Sequence, residues 1–303
     1  METPIESMTI AELAAYERAV GARVVESGGV FWRRVRPLFY RPLVPFEVLD
    51  PAAVRPPVAA RWGAWQCVVA DPARANGSVA FLMFQNAPAY QLDCLDKKRR
   101  WEVRTAQREF QVRPLRGTHE LMQAHPVFAE FHQRTGYHYR ADRIRADRYR
   151  AWAEKVFAHP KVRVYGAFRG SSIQAVSIVQ RVGDTLIYAT FFAATTALRG
   201  HVASLMLHVV RELAAGTPGV HRVYAGLRKE GSDASVDLFY LLRGAEVLPQ
   251  PACCWIHPVV AWCLKRFRPD LIPRLRSQPW RGPKPLLSNE LSSAALKVLG
   301  HEK

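Results

Sequence analysis

The sequence predicts an α/β protein of the α+β kind, in which mixed, mostly antiparallel sheets are flanked by helices. The first observation is the order of hydrophobic periods between Val162 and Val247, which reads strand, strand, strand, helix, strand, helix, strand. The second is that β-rich runs and a helical run also alternate earlier, from Phe31 to Pro114. The third is a chain of 303 residues with 49% hydrophobic content, enough to bury the core of one large or two ordinary domains.

Thr9-Ile10-Ala11-Glu12 fits a capping box, in which hydroxyl and carboxylate each meet an orphan N–H, and the helix it opens is expected to run to Gly28-Gly29. Phe31 to Phe46 carries Pro37, Pro42 and Pro45, which admits only short or edge strands. Ala52 to Pro57 reads as a connector. Trp65 to Ala70 and Ser78 to Phe84 are strands around the turn formers Asp71-Pro72 and Asn76-Gly77. Leu95 to Phe110 is a basic helix and Gln111 to Pro114 a strand, while Pro126 divides Glu120 to Arg134 into two short helices. A polar, basic loop from Gly136 to Ala146 follows. Tyr149, Trp152, Ala153, Val156 and Phe157 then recur at helical spacing up to His159-Pro160.

In the central stretch, Val162 to Phe168, Ile173 to Val182 and Thr185 to Phe192 form a meander turned at Gly170 to Ser172 and at Gly183-Asp184. Leu198, Val202, Leu205, Met206, Val209 and Leu213 make one helical stripe that Gly216 and Pro218 stop. Val220 to Leu227 returns to strand, and Ser235 to Leu242 is a short helix ending at Gly244. Arg199-Gly200-His201-Val202-Ala203 opens the longer helix, where unpaired N–H groups and the helix dipole attract phosphate.

That junction resembles the GNAT acyltransferase superfamily, whose third helix opens with an (Arg/Gln)-x-x-Gly-x-(Gly/Ala) loop for the pyrophosphate of acetyl-CoA; here Arg199 and Gly200 are adjacent and Ala203 follows. Phe239-Tyr240-Leu241-Leu242-Arg243-Gly244-Ala245 resembles the superfamily's Tyr-x-x-x-Gly-(Phe/Ala) pattern. Residues 95 to 247 are similar to the two-lobed branch of the Fem-type aminoacyl transferases and of the acyltransferase-like domain found near exopolysaccharide genes. Lys97 to Arg100 with Arg104 and Arg108 matches the basic helix of the first lobe, and Gly166 to Gly170 the start of the second. Fem-type enzymes tend to carry Lys where this chain has Tyr240.

The resemblance implies two GNAT-like lobes, at 1–145 and 146–250, followed by a basic, Trp- and Pro-rich tail at 251–303. It implies acetyl-CoA or another acyl-CoA held by Ala194, Arg199, Gly200, His201, Val202 and Ala203, with Tyr240 protonating the departing thiolate. The acceptor side would use Lys98, Arg100, Trp101 and Arg104, whose residue types suit a phosphate-bearing ligand such as tRNA or an anionic cell-wall precursor, or are simply a solvated helix face. For the base that takes the amine's proton, Glu230, Asp233, Asp237 and His201 all stand open, beside the ordinary roles of loop and capping carboxylates.

His119, His125, His132 and His138 lack the i, i+4 spacing that pairs imidazoles on a helix, and Cys253-Cys254 with His257 and Cys263 is no zinc pattern, so no metal is expected. Nucleophile elbow, P-loop and dinucleotide fingerprint are all missing from the sequence, which argues against hydrolase, NTPase and dehydrogenase. Five Cys at this length suit a reducing cytosol, and neither a signal peptide nor a membrane span is expected. A net charge of +17 points to RNA or DNA, an anionic membrane surface or an acidic substrate, set against a compositional preference for Arg. In the tail, Trp255, Trp262 and Trp280 among Arg and Lys suit the inner face of a membrane. Two functions follow: N-acyl or aminoacyl transfer from a thioester or ester donor to an amine in envelope, polysaccharide or lipid synthesis, or a non-catalytic relative that binds an anionic polymer, a membrane or a protein.

Overall fold

The computed structural model describes residues 3–136, 140–228 and 234–267. The Thr9 hydroxyl accepts from the Glu12 amide at 3.1 Å while the Glu12 carboxylate accepts from the Thr9 amide at 2.7 Å, which closes the capping box of α1 (Ile10–Ala19). Gly21, at φ +91°, ends that helix early. The Gly28-Gly29 pair instead turns the hairpin between β1 (Val24–Ser27) and β2 (Val30–Arg36), with φ of +60° and +74° that glycine adopts without a Cβ clash.

β3 (Phe39–Pro42) pairs with β2 on one side and, in parallel, with β4 (Ala64–Val68) on the other, so the Pro-bearing segment lies inside the sheet and not at its edge. A one-turn helix, α2 (Val58–Arg61), precedes β4, and β5 (Gly77–Phe84) follows. The basic helix is α3 (Lys97–Glu109), capped by the Asp96 carboxylate on the Arg99 amide at 2.8 Å. It buries Glu102, Val103 and Ala106 and leaves Lys97, Lys98, Trp101, Arg104 and Arg108 in water.

β6 (Gln111–Pro114), α4 (Thr118–Gln123), α5 (His125–Thr135) and α6 (Ala146–Phe157) come next. The predicted stripe of α6 is inside, with Tyr149, Trp152, Ala153 and Val156 buried; each large side chain so buried is worth about 1.5–3 kcal/mol. The meander is β7 (Arg163–Arg169), β8 (Ser172–Val182) and β9 (Thr185–Ala193). The long helical stripe divides into α7 (Thr195–Arg199) and α8 (Val202–Ala215), because His201 takes a left-handed conformation at φ +61°. β10 (Arg222–Leu227), α9 (Ala234–Leu241), β11 (Glu246–Ile256) and α10 (Pro258–Phe267) complete the described chain.

The strands form one sheet in the order β1-β2-β3-β4-β11-β5-β10-β9-β8-β7-β6, and among the described residues parallel pairing between named strands occurs only at β3–β4 and β9–β10. It is thus mixed and mostly antiparallel, and the β5–β10 pairing joins its two halves. β11 inserts between β4 and β5, so residues 251–256, expected to begin a tail, are interior strand. Trp280 and the helix anticipated after Ser288 lie outside the described residues. The largest apolar cluster runs from Ile5 to Ala245 through both expected lobes.

Candidate active site

β9 and β10 pair in parallel only from Thr185↔Arg222 to Ile187↔Tyr224. Beyond that, β9 stays with β8 as far as Ala193, while β10 bulges at Ala225 and continues along β5. The two parallel strands therefore part, and Tyr188 stands at the parting. Tyr240, reaching in from α9, meets Tyr188 edge-on with ring centres 6.4 Å apart, and Phe84 at 6.3 Å. Burial, with the Asp237 carboxylate one turn away adding to it, pushes the Tyr240 phenol up to about 12. Such a phenol keeps its proton at neutral pH and can donate it.

Arg243 fixes the end of α9. Its Nη1 donates to the Phe239 carbonyl at 2.8 Å, its Nη2 to Ser204 Oγ at 2.7 Å and to the Glu102 carboxylate, and the guanidinium lies 3.7 Å over the Phe239 ring. Glu102 also accepts from Ser204 Oγ at 3.0 Å and from Arg99, so α3, α8 and α9 meet in one buried charged knot. Burial lowers Arg243 to about 10, which still leaves it charged. Arg211 extends the knot: its Nη1 donates to the Arg243 carbonyl at 2.6 Å, and it lies 3.7 Å over the Tyr90 ring. The Tyr90 hydroxyl in turn meets His208 Nδ1 at 2.9 Å. Sequence reasoning passed over Glu102, Ser204, Arg211 and His208; a carboxylate three residues past Arg99 in an apolar stripe was the one available signal.

The expected phosphate loop has a different character. Ala194 and Val202 are buried, Arg199 is exposed, and the Gly200 and His201 amides both donate to the Leu198 carbonyl. A Cβ at Gly200 would collide with the Glu109 carboxylate and come within 3.0 Å of the Phe110 ring. The glycine serves close packing of α3's end on the start of α8, and Glu109, ion-paired with Arg169, puts negative charge where a pyrophosphate would sit. These residues do not fit a CoA pyrophosphate bound there. Ala203 is half-buried at the first turn of α8.

The acceptor and donor candidates meet at one point: the rings of Trp101 and His201 are 5.3 Å apart. Arg100 and Arg104 both approach Asp93, at 3.4 and 3.8 Å, and Lys98 stays in solvent. Asp237 is buried on α9 beneath Tyr240. Glu230, Asp233 and His138 lie outside the described residues. Among those described, no group of three His, Cys, Asp or Glu is placed to hold a metal.

No protein-family model matches the chain, and no curated protein does. Solved structures do. The C-terminal domain of a protein described as a lysylphosphatidylglycerol synthetase, from Agrobacterium fabrum, superposes with a TM-score of 0.52 at 12% identity, covering 92% of this chain and 95% of that one. L-PGS from Bacillus licheniformis gives 0.53 at 12% identity over 90% and 99%, and FemX gives 0.52 at 9% identity over 84% and 93%. At these identities the likeness is one of fold alone, a fold this chain shares with the lysylphosphatidylglycerol synthetase domain, L-PGS and FemX.

Proposed function

We propose that the protein transfers an acyl or aminoacyl group to an amine, with the reacting carbonyl bound where β9 and β10 part. The observation that carries this reading is Tyr240, a protonated phenol held at that parting by the Arg243 anchor. The amine nitrogen attacks the carbonyl, a C–N bond forms, and the C–S or C–O bond to the leaving group breaks. Tyr240 gives its proton to the departing sulfur or oxygen, help of a kind worth on the order of 10²- to 10⁴-fold. Asp237 or His201 takes the amine's proton, with Glu230 as the further candidate.

The carboxylate of Glu109 beside Gly200 favours a donor with no pyrophosphate at the start of α8, and so an aminoacyl ester over an acyl-CoA. Trp101 with Lys98, Arg100 and Arg104 would then face the acceptor or a tRNA. A place at the inner face of a membrane, in envelope synthesis, completes the reading. Mass spectrometry of the purified protein for a copurifying thioester, followed by transfer assays with aminoacyl-tRNA and acyl-CoA donors against a panel of amines, tests it. Absence of transfer with every donor, in a protein that still binds anionic polymers, would favour the non-catalytic alternative.

A further inference from the structure

One end of the sheet gathers two kinds of side chain that acyl transfer does not use. Arg23 and Arg34 face each other across β1–β2, since the Arg34 amide donates to the Arg23 carbonyl at 2.8 Å, and Arg36 follows just past a bulge in β2 and lines the same cleft. Arg140 comes in from a distant loop, its Nη1 2.9 Å from where a Cβ on Gly21 would be. The four arginines line a cleft of about 210 Å³ whose lining includes no carboxylate. Among the described residues Arg23, Arg34 and Arg36 form no ion pair. Like charges set directly opposite each other weaken a strand pair, and an anion between them reverses the sign. The guanidinium fork matches phosphate oxygens.

The same sheet end continues through β3, β4 and β11. The Leu38 carbonyl accepts from the Ala64 amide, the Gly63 carbonyl accepts from the His257 amide at 2.8 Å, and the Trp62 and His257 rings lie 5.4 Å apart. Trp62 is 65% exposed, and α10, which leaves from this point, carries Val259 at 60% and Trp262 at 64%, one turn apart, with Arg266 a turn further on. With strands about 4.8 Å apart, the rim from β1 to β11 spans about 20 Å.

We propose that this rim docks on an anionic lipid bilayer, with Trp62 and Trp262 at headgroup depth and the arginine cleft seating a lipid phosphate. Charge complementarity supports the occupant, since the chain's net charge is +17 and Lys265 and Arg266 flank the aromatic side. Exposed Val259 and Leu38 favour lipid over nucleic acid, because aliphatic side chains gain from entering a bilayer and offer bases nothing to stack on. Docking does not depend on the acyl-transfer reading.

The test is cosedimentation of the full chain with vesicles of phosphatidylglycerol and phosphatidylcholine, and of phosphatidylcholine alone. Wild type should partition onto the anionic vesicles only. Arg23→Ala/Arg34→Ala/Arg36→Ala should lower partitioning about a hundredfold and flatten its salt dependence. Trp62→Ala/Trp262→Ala should lower it about tenfold with the salt dependence kept, and neither variant should melt below wild type, because none of the altered side chains is buried and the arginine variant loses a like-charge pair. Equal binding to neutral vesicles, no binding by wild type, or unchanged binding by both variants would overturn the proposal. So would loss of single-stranded RNA binding in the arginine variant with vesicle binding intact.

Discussion

The Arg243 guanidinium, at the end of the helix that carries Tyr240, meets the buried carboxylate of Glu102 on α3, 141 residues away in sequence. The Arg243 side chain is 8% exposed and that of Glu102 5%. Removing one partner leaves the other charged and desolvated, so Glu102→Ala should cost about 3–5 kcal/mol in urea unfolding. Glu102→Leu combined with Arg243→Leu should cost less than the two single changes summed, by about 1 kcal/mol or more. Additive losses would show that the pair is not coupled.

Tyr240→Phe keeps the ring against Tyr188 and Phe84 and removes the proton. Turnover should fall on the order of 10²-fold while donor affinity stays within about twofold. Single-turnover kinetics beside calorimetric donor titration separate the two. Full activity would take Tyr240 out of the chemistry.

Arg199→Ala should leave acetyl-CoA binding within about twofold, because the Glu109 carboxylate beside Gly200 keeps donor phosphates away from the exposed arginine. Glu109→Gln should instead strengthen acetyl-CoA binding several-fold, since it removes the negative charge beside Gly200. Calorimetric titration of both variants decides, and unchanged affinity in Glu109→Gln would mean that the start of α8 is not where donor phosphates bind.

Burial lowers His208 to about 4, with nearby Arg211 acting in the same direction, whereas an unfolded His titrates near 6.5. The fold therefore binds the neutral imidazole. That contribution is complete above pH 6.5 and is lost as pH falls toward 4, an effect of roughly 1–3 kcal/mol. Comparing the pH dependence of thermal unfolding in wild type and His208→Gln isolates it; identical slopes between pH 6.5 and 4 would refute it.

Gly200→Ala would drive a methyl group into the Glu109 carboxylate and the Phe110 ring, and should destabilise the fold by about 1–3 kcal/mol whatever the ligand. A stable Gly200→Ala protein with weakened donor binding would point to a ligand role for the glycine instead.

The sequence by itself determined what depends on near neighbours. Thr9 and Glu12 are three residues apart, Gly183-Asp184 makes its own turn, and the stripe of α6 is a matter of spacing, so caps, hairpins and buried faces could be read directly. The Tyr240 to Gly244 register was also legible, because both residues lie on one turn. What periodicity cannot carry is a single residue's backbone sign: His201 breaks a stripe that stays in phase from Leu198 to Val202, and Gly21, not Gly28, ends α1. Nor can it carry pairing between distant segments. The insertion of β11 with its two prolines between β4 and β5, the closure of Gly200 by Glu109, and the ion pair of Glu102 with Arg243 were decided only by tertiary structure. A charged side chain looks the same in sequence whether water or a partner surrounds it, and only the packing of α3 against α8 and α9 removes the water.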